Sequence, residues 1–137
     1  MDLKQTTMIQ GFEEQTAPLT EYEESTLLPV VRLGLSGKIG KKMAASSKYI
    51  CGCMRSSGYD ITPERLRKII NHIRLHGLVE CLVSSSKGYY IATSEQELLD
   101  YEESLKGRVQ AIAAVQRAIS AQRRRAYAEQ EPNLFGV

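Results

Sequence analysis

Between Arg65 and Arg74 the chain places Arg65, Arg67, Lys68, Asn71, His72 and Arg74 in close succession. These side chains suit nucleic acids: arginine or lysine bridges the acceptors of guanine, asparagine matches adenine, and any cation pairs with phosphate. An apolar set woven through the cluster gives it a direction. At about 100° per residue, Leu66, Ile69, Ile70 and Ile73 fall in one arc, which a helix must turn toward a core. The opposite arc carries Glu64, Arg67, Lys68, Asn71 and Leu75, with Arg65, His72 and Arg74 at its edges. An ordinary amphipathic helix also has a polar face, commonly with bases balanced by Glu. Here Glu64 alone balances them, and the face fits a recognition helix lying in a major groove.

Other chemistries find less support. Cys51 and Cys53 stand one residue apart, while His72 and His76 share a helix face, which raises the question of zinc. Cysteine pairs in zinc modules are usually separated by two to four residues, so no metal is expected. With Cys81 the count of three is odd, and the thiols read as reduced. No nucleophile with a partnered base, no paired acids and no glycine-rich nucleotide loop is found, so neither catalysis nor a cofactor is expected.

The net charge of +2 conceals a segregated distribution. Residues 38–76 hold nine bases against two acids, a net of +7, while residues 1–37 and 77–107 each carry two bases against six acids, a net of −4. Residues 108–137 restore the balance with five bases against two acids, +3. A central block this basic is the footprint of a phosphate-contacting surface or of a plainly solvated face. Lys48 belongs to this block and joins the candidate contacts, as does Lys87 further on; Lys38, Lys41 and Lys42 lie in the linker between helices.

Several elements must position these residues. Residues 1–19 lack period and read as a flexible arm. Thr20 caps a first helix with Glu21, Glu23 and Glu24 in its first turn, and Leu27, Leu28, Val31 and Leu35 recur at helical spacing until Gly37. Pro29 predicts a kink or a later start. After a basic linker, Ser46 or Ser47 caps a short helix that stops at Gly58. Thr62-Pro63 then opens the cationic helix, which runs to Gly77. LVECLVS and YYIAT are β-rich runs joined by the turn SSKG, a hairpin in which Tyr89 and Tyr90 face opposite ways.

From Ser94 a last helix is predicted to about Ala128, with Leu98, Leu105, Ile112 and Ile119 repeating every seven residues and Tyr101 and Val115 in the intervening row. Arg108 and Gln122 interrupt that second row. Packing onto its own domain accounts for the first half only, and a partner helix from a second copy is expected for the rest. The domain plan is thus an arm (1–19), a winged-helix domain (20–93), a long packing or dimerisation helix (94–128) and a flexible tail (129–137). The fold class is mostly α with a small β-hairpin, a winged helix-turn-helix followed by a long helix.

The stretch from Thr20 to about Ala121 resembles small winged-helix proteins encoded by bacteriophages and mobile elements, a likeness carried by RLRKIINHIRLHGLVECLVSSSKGYYIATSEQELLDYEESLKGR. The resemblance implies binding to double-stranded DNA in phage replication or transcriptional regulation, with Arg65, Arg67, Lys68, Asn71 and Arg74 on the recognition helix and Lys87 on the wing. The tail EQEPNLFGV resembles the Leu-Phe peptides that replication proteins insert into the bacterial sliding clamp, through Gln130, Leu134 and Phe135; Asn133 stands where the motif usually has leucine. A competing function is therefore a protein-interaction adaptor in a replisome. No run approaches the ~20 apolar residues of a membrane span, and the first ten residues lack a secretion signal, so a cytoplasmic location in a bacterial host is expected.

Overall fold

The computed structural model describes residues 16–128. These are mostly helical with one two-stranded antiparallel hairpin, and the chain divides into two compact units after Leu98. The first helix is opened by a reciprocal cap: Thr20 Oγ1 accepts the Glu23 N–H at 3.1 Å, and the Glu23 carboxylate accepts the Thr20 N–H at 2.8 Å. A π-helical turn, Glu23–Leu27, follows, with the Leu28 N–H on the Glu23 carbonyl, and leads straight into α1 (Leu28–Ser36). This widened turn lies directly ahead of Pro29, where a proline ring in a regular helix would press on the carbonyl four residues back. The helix takes up the misfit locally.

Helices α2 (Ser47–Ser56) and α3 (Pro63–Leu75) are built alike. Each is capped by a hydroxyl: Ser46 Oγ accepts the Tyr49 N–H at 3.1 Å, and Thr62 Oγ1 accepts the Arg65 N–H at 3.3 Å. Each ends on a glycine with positive φ, Gly58 at 89° and Gly77 at 61°. There the Tyr59 N–H returns to the Met54 carbonyl and the Leu78 N–H to the Ile73 carbonyl, a Schellman closure that satisfies the last carbonyls. The short connection between them is held by Arg55, whose guanidinium donates twice to the Ile61 carbonyl, at 3.0 and 2.8 Å.

The hairpin pairs β1 (Leu82–Ser85) with β2 (Gly88–Ile91), Leu82 opposite Ile91 and Ser85 opposite Gly88. The first strand is shorter than its apolar run predicts. Leu78–Cys81 instead form a turn with Cys81 at φ 62°, because the glycine stop of α3 must be followed by a reversal before pairing can begin. The basic linker after α1 is not a bare connection either. Ala45 and Tyr89 exchange both backbone hydrogen bonds, at 3.0 and 2.8 Å, while Ile91 donates to the Lys38 carbonyl and Gly40 to that of Ile91. Residues 38–45 therefore line the second edge of β2.

Leu27, Val31 and Leu35 meet Cys51 and Met54 of α2, Leu66, Ile69, Ile70 and Ile73 of α3, and Leu82 of β1 in one core. Burying each large side chain contributes about 1.5–3 kcal/mol, so the isoleucines of α3 dictate which way that helix faces. The last helix, α4 (Glu95–Tyr127), is opened by Ser94, whose Oγ accepts the Glu97 N–H at 3.2 Å, while the Glu97 carboxylate accepts the Thr93 N–H at 3.1 Å. None of its residues is buried. Among the described residues, no helix is long and apolar enough to cross a membrane.

Candidate nucleic-acid interface

Because Leu66, Ile69, Ile70 and Ile73 are all at most 1% exposed, α3 presents its other side outward. Arg67 and Asn71 are exposed on that side, Lys68 is half-buried between them and the core, and Leu75 at the end of the ridge is 84% exposed. Neither Arg67 nor Lys68 has an ion-pair partner among the described residues, and the same holds for Lys48 and Lys87. Unneutralised cations on one helix face can accept phosphate oxygens or base acceptors without first breaking an internal bond.

Arg65 behaves otherwise. Its guanidinium makes a two-pronged pair with the Glu23 carboxylate, at 2.6 and 2.5 Å, and donates to the carbonyls of Ala17 and Pro18 at 3.1 and 3.0 Å. The arginine beside it holds the Glu23 carboxyl below the ordinary glutamate range, outweighing the opposite effect of burial. The sequence grouped Arg65 with ligand-facing residues because it stands at the edge of the polar arc. In the fold, that edge meets the start of the first helix, and Arg65 fastens the two together.

Arg74 is also engaged. It donates to the Leu82 carbonyl and to Ser84 Oγ, both at 3.0 Å, and its guanidinium carbon lies 5.5 Å from the centre of the Tyr89 ring. It thereby ties the C-terminal half of α3 to both hairpin strands. His72 and His76 stack on one another with ring centroids 4.1 Å apart, and among the described residues no group of three His, Cys, Asp or Glu side chains converges as a metal site. Cys51 is buried, which pushes its thiol pKa up, whereas Cys53 and Cys81 are exposed.

Tyr89 is the meeting point of three elements. The hydroxyl of Ser47, the first residue of α2, lies 3.4 Å from the Tyr89 hydroxyl, the Arg74 guanidinium covers its ring, and its backbone pairs with Ala45. Tyr90, on the opposite face of the strand, is buried. Lys48 is exposed beside Ser47, and Lys87 is exposed at the hairpin turn, where its N–H is held by Ser85 Oγ at 3.2 Å. Gly88 permits this close approach: a Cβ there would stand 2.3 Å from the Ala45 carbonyl carbon, and its φ is 127°. Sequence reasoning missed both Gly88 and the linker contact, since neither leaves a periodic trace. The only clue was that a glycine followed the hairpin turn.

An apolar groove between α1 and α2, lined by Val30, Gly34, Tyr49, Ile50, Cys53 and Tyr59, lies apart from the α3 ridge. Beside it the Tyr49 hydroxyl pairs with the Cys53 thiol, which raises the tyrosine pKa. Gln130, Leu134 and Phe135, the candidate clamp-binding residues, lie outside the described residues. Comparison with known protein families, curated proteins and solved structures returned no match.

Proposed function

We propose that α1, α2, α3 and the hairpin form a winged helix-turn-helix, and that the chain binds double-stranded DNA with α3 in the major groove and the hairpin against the backbone. Three features support this reading. The element order is helix, edge segment 38–45, helix, helix, hairpin, in which the edge segment completes a small sheet with the wing. The connection between α2 and α3 is short and internally braced. The basic side chains divide into two sets: Arg55, Arg65 and Arg74 brace the scaffold, while Arg67, Lys68, Lys48 and Lys87 have no ion-pair partner among the described residues. That division carries the proposal, because a merely solvated face would not need its cations oriented by arginines fixed on both flanks.

In this reading Arg67 and Asn71 reach base edges and Leu75 offers an apolar contact to a thymine methyl group. Lys68, Lys48 and Lys87 meet phosphates. His72 sits at the margin, and Arg65 and Arg74 hold α3 in place. The protein acts by binding rather than by catalysis, in replication or transcriptional control of a phage or mobile element within the bacterial cytoplasm.

The test is fluorescence anisotropy on random-sequence and selected duplexes across a salt series. Affinity is expected to fall steeply with salt, and Arg67→Ala/Lys68→Ala to flatten log K against log[salt] by roughly one to two units, about 0.9 per lost phosphate contact. Equal DNA retention by the double variant, or no binding by the parent chain at ~0.15 M salt, overturns the proposal; the latter result favours a protein-interaction adaptor instead.

A further inference from the structure

The α4 helix holds a second surface that the DNA reading leaves unused. Leu105, Val109, Ile112, Val115 and Ile119 recur along it at helical spacing and are between 40% and 70% exposed. A long helix with an open apolar stripe is a poor isolated structure in water and calls for a partner. The chemistry along its length says which one. Residues 95–103 carry Glu95, Glu97, Asp100, Glu102 and Glu103 and no base, whereas residues 117–127 carry Arg117, Arg123, Arg124 and Arg125 and no acid.

We propose that α4 pairs with the α4 of a second copy of this chain, the two helices running antiparallel about a twofold axis near Gln110. Parallel pairing would set five acids against five acids at one end and four arginines against four at the other, repulsion at both ends. Antiparallel pairing places each acidic end beside an arginine end. With the axis near Gln110, Glu95 lies level with Arg125 and Glu97 with Arg123. The same register accounts for the interrupted heptad row. In a parallel pair Arg108 would share a layer with its own copy, whereas here it lies level with Ile112, where its aliphatic stem can cover the isoleucine while its charge reaches solvent.

Light scattering on the full chain without DNA reads this interface independently of the DNA-binding proposal. A dimer is expected, and Ile112→Lys/Val115→Lys is expected to weaken it about a hundredfold or more, the loss of two apolar contacts on each helix. Since neither residue is buried in the core, that variant keeps the thermal unfolding of residues 20–93 as a check on folding. Orientation is read by electron-spin distance measurement on Gln96→Cys in a Cys53→Ser/Cys81→Ser background, the remaining Cys51 being buried. Antiparallel pairing predicts about 40 Å between labels, from the helical rise of about 1.5 Å per residue; parallel pairing predicts labels little farther apart than the interaxial spacing of about 10 Å. A monomer at all concentrations, a larger oligomer, or the short distance overturns the inference. A dimer with the long distance establishes it, whether or not the protein binds DNA.

Discussion

Replacing Gly88 by alanine tests how the hairpin is joined to the rest of the domain. The new Cβ would lie 2.3 Å from both the carbonyl carbon and oxygen of Ala45 and 2.5 Å from the Ser46 nitrogen, all backbone atoms that cannot rotate away. To regain an ordinary carbon contact of about 3.5 Å, one strand must retreat by roughly 1 Å, enough to break the paired bonds between Ala45 and Tyr89. Two hydrogen bonds at about 0.5–1.5 kcal/mol each come to about 1–3 kcal/mol. Holding a non-glycine residue near φ 127° adds about 1–3 kcal/mol. The expected loss is about 2–6 kcal/mol, a large share of the stability of a small domain. Urea unfolding followed by circular dichroism measures it, as a lower midpoint at unchanged slope. Because Ala45 leads directly into α2, the variant should also weaken duplex binding under conditions where it remains folded. A stability change below about 1 kcal/mol would refute the claim that the hairpin is pressed against this segment.

Three further outcomes follow from particular contacts. Glu23→Gln should destabilise the domain by about 2–4 kcal/mol at neutral pH by leaving the enclosed Arg65 without its counter-charge, measured by thermal or urea unfolding. The Glu23 carboxyl is depressed in the folded state, so its contribution is complete above the ordinary glutamate value of about 4.5 and is lost as pH falls through the lower folded value; acid titration of stability should show that limb in the parent and lose it in the Gln variant. Ile70→Ala should cost about 2–5 kcal/mol through a cavity at the centre of the core, again by urea unfolding, and an effect below about 1 kcal/mol would contradict the packing described. Thiol titration of the native protein should label Cys53 and Cys81 rapidly and Cys51 only on unfolding, since burial both hides that thiol and raises its pKa.

Local sequence determined the elements. Hydroxyl caps at Thr20, Ser46 and Thr62, glycine stops at Gly58 and Gly77 and the period of Leu66, Ile69, Ile70 and Ile73 are short-range rules, and the structure follows each of them. The outward ridge of Arg67, Lys68 and Asn71 was legible for the same reason: helix geometry places it opposite the isoleucines whatever the rest of the chain does. Tertiary structure decided how the cations divide. Whether an arginine at the margin of a helix faces solvent or a neighbour depends on which element packs there, and Glu23 stands forty-two residues from Arg65. The hairpin partners of Arg74, the pairing of Ala45 with Tyr89 and the need for glycine at position 88 likewise arise where distant segments meet. Periodicity reports one element's own faces; only packing supplies what stands opposite them.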